Sequence, residues 1–329
     1  MAFEVLFIGL DQAAASISAA LGDQEDVIRI GYDPDMGRAK ELQKAGLLDK
    51  TSGVPRKAAS SADLVLISLP PAEVIEFLDL LNEDLKQDAV VIDLTPLKAG
   101  TLAWVDEHKS DDWDYIGATP IVGPQALVSP SGDEPMPDLF EKGLMAIMVP
   151  PEAQERSIGL ALNLADIIGA APFFVDPFEH DAAFAMSFGM PALLSAALIR
   201  ASAQSAAWEQ IQRLAGSEFA VFSRISAQHH PKKLHASLRL SRTLMAQRID
   251  VLMEELAKLR QLLLSEEGDE QLLEYLDESS LAYDKWIDDR SRHSWVTQGL
   301  RTDLRNTAGL FGNLTGGLFS AGDRFPKKD

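Results

Sequence analysis

The first residues able to do chemistry form a turn close to the start of the chain. Gly9-Leu10-Asp11-Gln12-Ala13-Ala14 follows the apolar run Phe3 to Gly9 (FEVLFIG) and opens a stretch of small residues. A phosphate-binding turn of this kind uses glycine at three places. The first allows the tight turn leaving a strand, the second lets a diphosphate approach the backbone, and the third lets helix and strand pack closely. Gly9 supplies the first and Ala14 is a tolerable third, but the middle position is Asp11. As structure, Asp11 is a good N-cap that accepts from the backbone N–H of Ala13 or Ala14. As function, the same carboxylate would occupy the place where a diphosphate accepts those bonds. Two negative charges about 4 Å apart repel by roughly 4 kcal/mol at an effective dielectric near 20. The expectation is a weakened or displaced dinucleotide. Gly9, Leu10, Asp11, Gln12 and Ala13 are the candidate cofactor residues of the turn. Asp33 ends the second apolar run, where an acid bonds the adenosine ribose hydroxyls and disfavours a 2′-phosphate, which argues for NAD. Arg38 nearby keeps NADP possible. Leu69 and Pro70, where a third run closes on Pro70-Pro71, complete the set.

Further along, His180 stands beside Asp181, either as a cap pair just before a helix or as an acid–base group. Lys98 is read as a surface lysine within reach of an anion. His229, His230 and His235 bring no carboxylate at convincing metal-ligand spacing, so no metal is expected.

These groups need elements to hold them. Val27 to Tyr32, Leu64 to Leu69, Ala89 to Leu94, Asp114 to Gly117 and Leu144 to Val149 read as buried strands, with helices at Gln12 to Leu21 and around Arg38 to Ala45. Apolar strands separated by helices imply parallel βαβ units covered on both faces. The fold class is α/β: an N-terminal Rossmann-type doubly wound parallel sheet, then an all-α helical domain. After a helix at Gln154 to Ile168 and a short strand at Phe173 to Val175, the pattern becomes helical. One segment runs from His180 to Leu214, kinked at Pro191. Another runs from Lys233 to Leu264 with a stripe of Leu238, Leu244, Ile249, Leu252, Leu256 and Leu259. That stripe serves as core or as a dimer interface. The expected divisions are 1–152, 153–301 and a glycine-rich tail over 302–329.

Composition narrows the function classes. Asp and Glu outnumber Lys and Arg by 50 to 30, for a net charge of −20 over 329 residues. Such a surface repels nucleic acid and anionic lipid. No apolar run reaches the ~20 residues of a membrane span, the start lacks a basic leader, and a cytoplasmic location is expected. With no cysteine, thiolate catalysis, disulfides and Cys-based metal sites are excluded.

The order of segments resembles the prephenate dehydrogenase family, the NAD(P)-dependent prephenate and arogenate dehydrogenases of tyrosine biosynthesis. The likeness runs over roughly residues 3 to 290. IGLDQAAAS is similar to the family's glycine loop, and DLTPLK (Asp93 to Lys98) to its Asp-x-x-Ser-x-Lys segment. IGATPIVGPQ (Ile116 to Gln125) resembles Gly-x-His-Pro-Met-x-Gly-x-Glu. DPFEHDAAFAMSFGMPA (Asp176 to Ala192) resembles a Glu-His-Asp run followed by Ser-His-x-Pro-His. GSEFAVFSRI (Gly216 to Ile225) resembles Gly-x-x-Phe-x-x-x-Thr-Arg-Ile. The resemblance implies oxidative decarboxylation of a small cyclic carboxylate. In it, a histidine polarises the ring hydroxyl, hydride leaves for the nicotinamide, and an arginine holds a carboxylate. Arg224 matches that arginine. The loop histidine falls at Thr119, the loop glutamate at Gln125, the strand-end serine at Pro96, and two further histidines at Phe188 and Ala192. Thr119, Gln125, His180 and Arg224 are the catalytic candidates, with a homodimer formed through the helical domain. The opposing expectation is a non-catalytic relative that keeps the cleft to bind a ligand or partner.

Overall fold

The computed structural model describes residues 2–128, 134–228, 231–265 and 267–292. The first unit alternates strand and helix. It begins β1 (Phe3–Ile8), α1 (Gln12–Ala20), β2 (Val27–Tyr32), α2 (Met36–Lys44), β3 (Lys50–Thr51) and α3 (Pro55–Ala59). It continues with β4 (Leu64–Ile67), α4 (Pro71–Leu81), β5 (Ala89–Asp93), α5 (Ala99–His108), β6 (Trp113–Ile121) and α6 (Pro124–Val128). β7 (Leu144–Met148), α7 (Glu155–Ile167) and β8 (Ala171–Phe174) close it. The strands form one sheet in the order β3-β2-β1-β4-β5-β6-β7-β8, parallel except for the antiparallel β6–β7 pair. The reversal in order between β1 and β4 leaves a crevice at the C-terminal strand ends, where open α/β sheets bind ligands.

Alternation along each strand loads both faces. Val5, Phe7, Leu66, Val90 and Ile92 pack under α1 and α7, while Leu6, Ile8, Val65, Ile67 and Val91 pack under α4 and α5. This doubly covered sheet is the expected fold. β8 pairs with β7, so the sheet unit extends through Phe174. The boundary expected at 152 falls a helix and a strand too early, because the linking helix and short strand belong to the sheet. β3, two residues long, carried too little pattern to be seen in the sequence.

The second unit is helical: α8 (Pro177–Phe184), a π-helical turn (Ala185–Gly189), α9 (Met190–Ala203), α10 (Trp208–Leu214), α11 (Ser217–Ala227), α12 (Pro231–Leu240), α13 (Arg242–Leu264) and α14 (Asp269–Arg292). The interruption expected at Pro191 lies just before it, in the π turn that joins α8 to α9, where the helical ladder accommodates a residue with no N–H. The turn permits a close approach: a Cβ on Gly189 would lie 2.7 Å from Met245 Sδ of α13. The segment expected from Lys233 to Leu264 is two helices, divided at Ser241. Its stripe divides too, but within α13. Leu238, Leu244 and Leu252 pack on Met190 and Met245, whereas Ile249 and Leu256 are exposed. Pro177–Ala203 has the length and hydropathy (1.8) of a membrane span, yet its first turns carry Glu179, His180 and Asp181. His229, His230 and the tail over 302–329 lie outside the described residues. Among the described residues no group of three potential metal ligands converges.

Candidate functional site

Each end of the crevice is built around an acidic residue. At the β1 end, Gly9 adopts φ +82°, and a Cβ there would lie 2.2 Å from the Ser68 carbonyl oxygen. Only glycine fits so tight a turn between strands. The chain then enters α1 with Asp11 as N-cap. Its Oδ1 accepts from Ala14 N at 2.9 Å and from Ser68 Oγ at 2.8 Å. Asp11 is exposed at the crevice mouth, with Oδ1 held between the helix start and the β4 loop by those two bonds. Burial of that carboxyl raises its pKa; the bonds from Ala14, Ser68 and Ala13 oppose the shift, and Asp33 adds to it. Asp33 holds the same turn from β2: its Oδ2 accepts from Leu10 N at 2.8 Å and its Oδ1 from Asp35 N at 2.8 Å. Arg38 Nε donates to Leu10 O at 3.3 Å, and Gln12 Nε2 to Glu134 O at 2.9 Å. Ala13 packs against the core beside Leu10, Leu69 is buried next to Gly9, and Pro70 caps α4.

At the β5 end, Asp93 is fully buried. It accepts from Thr95 N at 2.8 Å and Tyr115 Oη at 2.8 Å, and Lys98 Nζ lies 3.3 Å from its Oδ1. Lys98 is also fully buried. Its ammonium donates to Asp93 O at 2.6 Å and to Thr95 O. Lys98 is therefore not the surface lysine expected, because three acceptors converge where an ammonium has three donors. Burial lowers its pKa against the pull of Asp93, and burial first, then Asp93, raises that of Tyr115 well above the usual range.

Asp181 reaches this loop from α8. Its carboxylate accepts from Lys98 N at 2.9 Å and Ala99 N at 2.9 Å, capping α5 from another unit. His180 Nδ1 lies 3.0 Å from Asp181 Oδ1. A carboxylate only accepts, so Nδ1 carries a proton, and in the neutral ring Nε2 is the acceptor. The pair does cap a helix, but that helix is α5; α8 is capped by Asp176, which accepts from Phe178 N and Glu179 N. His180 stacks on Phe184, and Phe184 on Phe188 at 4.8 Å, so an aromatic column takes up one of the two positions where the sequence lacks the resemblance's histidines.

Thr119, on β6, donates from Oγ1 to Thr95 O at 3.4 Å, which brings it to the loop that Asp181 caps. The other two catalytic candidates lie elsewhere. Gln125 lines a cavity of about 260 Å³ with Pro124, Asp138, Glu141, Lys142 and Ser291. Arg224, on α11, is exposed, and with the Gln228 amide turned to accept, its Nε and Nη2 donate there at 3.1 and 3.0 Å. Sequence reasoning missed Ser68, the donor that fixes Asp11, and Thr95, whose buried hydroxyl has no hydrogen-bond partner among the described residues. An unmet buried hydroxyl costs about 1–3 kcal/mol. The acid closing an otherwise apolar strand (AVVID) was the available sequence signal for this end.

The crevice suits a dinucleotide at its ribose end through Asp33, and at its far end through the half-buried Thr119. The diphosphate seat between them suits one only when the Asp11 carboxyl is uncharged.

Residues 17–171 match the family described as "Prephenate dehydrogenase, nucleotide-binding domain", and residues 176–278 match "Prephenate dehydrogenase, dimerization domain". Among solved structures, the chain is similar to prephenate dehydrogenase from Aquifex aeolicus in complex with hydroxyphenyl propionate and NAD+. Identity is 19% and the TM-score 0.76, over 87% of this chain and 98% of that one. Synechocystis arogenate dehydrogenase is similar at 20% identity and a TM-score of 0.69, over 86% and 100%. A protein described as a putative prephenate dehydrogenase from Corynebacterium glutamicum is similar at 18% and 0.70, over 86% and 88%.

Proposed function

Since the chain belongs to the prephenate dehydrogenase family, we propose that it is an NAD-dependent dehydrogenase that oxidatively decarboxylates a small cyclic carboxylate of the prephenate or arogenate kind. The observation that carries this reading is the His180–Asp181 pair, brought from the helical unit to the strand ends and fixed there by two backbone N–H groups. A neutral imidazole held in one tautomer, with Nε2 as acceptor, is what removal of a hydroxyl proton requires. Thr119 supplies a hydrogen bond to the same substrate. Arg224, exposed on α11 and away from this pair within one chain, is the carboxylate anchor that the family resemblance implies, and its guanidinium fork suits that role. NAD, when bound, accepts the hydride. Asp33 favours NAD over NADP, since a 2′-phosphate beside it meets a like charge.

The active form in this reading is a soluble homodimer. Leu256, Leu263 and Leu264 of α13 and Leu273, Leu276 and Leu281 of α14 are exposed on the unit that matches the dimerization domain, although only residues up to 278 fall within that match. Exposed leucines on that scale are ordinarily covered by a partner.

A second reading, a non-catalytic relative that binds a ligand or partner, draws on one observation: Asp11 fills the diphosphate seat. NADH absorbance assays with prephenate and arogenate separate the two. Turnover that falls at least a hundredfold in His180→Ala, and whose KM rises in Arg224→Ala, supports the dehydrogenase. No turnover with either substrate, together with no NAD binding at any pH, supports the second reading.

A further inference from the structure

The cofactor reading leaves one residue unexplained, because Asp11 sits where a diphosphate must sit. Its Oδ1 takes the Ala14 N–H that the phosphate oxygens of a dinucleotide would use, and Ser68 Oγ holds it there. The charges around it do not neutralise it. From β2, Asp33 and Asp35 add negative charge. Arg38 of α2 is committed through Nε to the Leu10 carbonyl, and the 134–136 segment presents the Glu134 carbonyl to Gln12. β4 offers the neutral Ser68. No cation bonds Asp11, since Arg38 reaches the Leu10 carbonyl instead, so an ionised Asp11 faces an incoming diphosphate with its charge unpaired.

Resting on the NAD-dependent reading, we propose that Asp11 is the specificity-determining residue of the nucleotide seat: a dinucleotide enters only as Asp11 takes up a proton, so that binding is proton-coupled. A protonated carboxyl removes the charge repulsion and turns one oxygen from acceptor to donor, able to hydrogen-bond a phosphate oxygen. The proton comes from solvent and returns to it when the dinucleotide leaves. Burial of the carboxyl, which favours its neutral form, works in the same direction. The seat thus discriminates by charge: adenosine, which carries Asp33-compatible ribose hydroxyls and no phosphate, binds without regard to pH over the same range.

The test is equilibrium titration of NAD and of adenosine into the full chain, wild type, Asp11→Asn and Asp11→Gly, at pH 5.5 and pH 8. Asparagine and glycine both serve at an N-cap, so the fold is retained and circular-dichroism melting verifies it. Proton coupling tightens wild-type NAD binding as pH falls, by up to about tenfold per pH unit. Both variants bind NAD tightly at both pH values, up to about a thousandfold better than wild type at pH 8, and adenosine affinity is unchanged by pH. Wild-type NAD affinity that is equal at the two pH values, or variants no tighter than wild type at pH 8, overturns the inference while leaving the cofactor reading intact. No NAD binding by any of the three folded proteins overturns both.

Discussion

Asp11 and Asp93 stand at opposite ends of one crevice, and their surroundings differ in exposure and in charge: Asp93 is fully buried, Asp11 exposed at the mouth. Asp93 has a cation: the Lys98 ammonium lies beside it, with Tyr115 and Thr95 N completing its hydrogen bonds. Asp11 has only neutral donors, Ala14 N and Ser68 Oγ. A buried acid with its cation is scaffold, since removing either partner strands a charge. An acid without one, at the mouth of the crevice and with its pKa raised, is free to change charge when a ligand arrives. The β5 end positions the chemistry, and the β1 end decides what is admitted.

The largest effect expected from this contrast is at Lys98. Lys98→Met leaves Asp93 as an uncompensated buried charge and destabilises by about 3–5 kcal/mol, measured by urea unfolding. Adding Asp93→Asn recovers part of that loss. A Lys98→Met protein as stable as wild type breaks the scaffold half of the comparison.

Arg29 and Asp49 extend the comparison to a half-buried pair. Arg29 donates to Asp49 through Nε and Nη2 and to the Ser18 and Gly46 carbonyls, tying α1 and the turn after α2 to β2. Asp49→Ala is expected to cost about 1–2 kcal/mol, since solvent screens the exposed acid while Arg29 loses its partner. The side-chain bond from Arg29 is the main cause that lowers the Asp49 pKa. A lowered acid contributes stability above its unfolded pKa and loses it as pH falls through the folded value. The wild-type advantage over Asp49→Ala is therefore full at neutral pH and shrinks below about pH 4, which acid unfolding curves of the two proteins check.

Asp181→Ala removes the cap of α5 and the partner of His180. A loss of about 1–2 kcal/mol is expected, with a larger effect on kcat than on KM, because the imidazole loses its fixed tautomer. Equal effects on stability but none on kcat would reduce Asp181 to a cap.

The smallest stability effect is at Asp11, and it has the opposite pH sign. Its raised pKa means that folding favours the neutral form, so its contribution is full below the unfolded pKa and is lost as pH rises through the folded one. Asp11→Asn is expected to lie within about 1 kcal/mol of wild type and to gain on it as pH rises.

Much of this architecture was legible in the sequence. Continuous apolar runs such as FEVLFI and AVVID have only one stable home, a strand covered on both faces, and the glycine at position 9 marked the turn. The capping role of Asp11 was legible too, because an acid after a strand and before small residues has few alternatives. Burial of Lys98 was not, since a lysine goes inside only where acceptors from distant segments converge, and Thr95 O and Asp93 become neighbours of its Nζ only after folding. Asp181 read as a cap of its own helix because spacing along the chain cannot show a helix start 82 residues away. The leucine stripe of α12 and α13 left core and interface undivided, and the packing of Gly189 on Met245 assigns Leu238, Leu244 and Leu252 to the core while Ile249 and Leu256 stay exposed.

The central claim, that this crevice admits a dinucleotide at the cost of a proton on Asp11, is tested most directly by calorimetry. NAD binding to the wild-type protein is measured at pH 7 in two buffers of different ionisation enthalpy. The account predicts uptake of close to one proton per NAD bound, abolished in Asp11→Asn. Binding with no proton uptake in the wild type would contradict it.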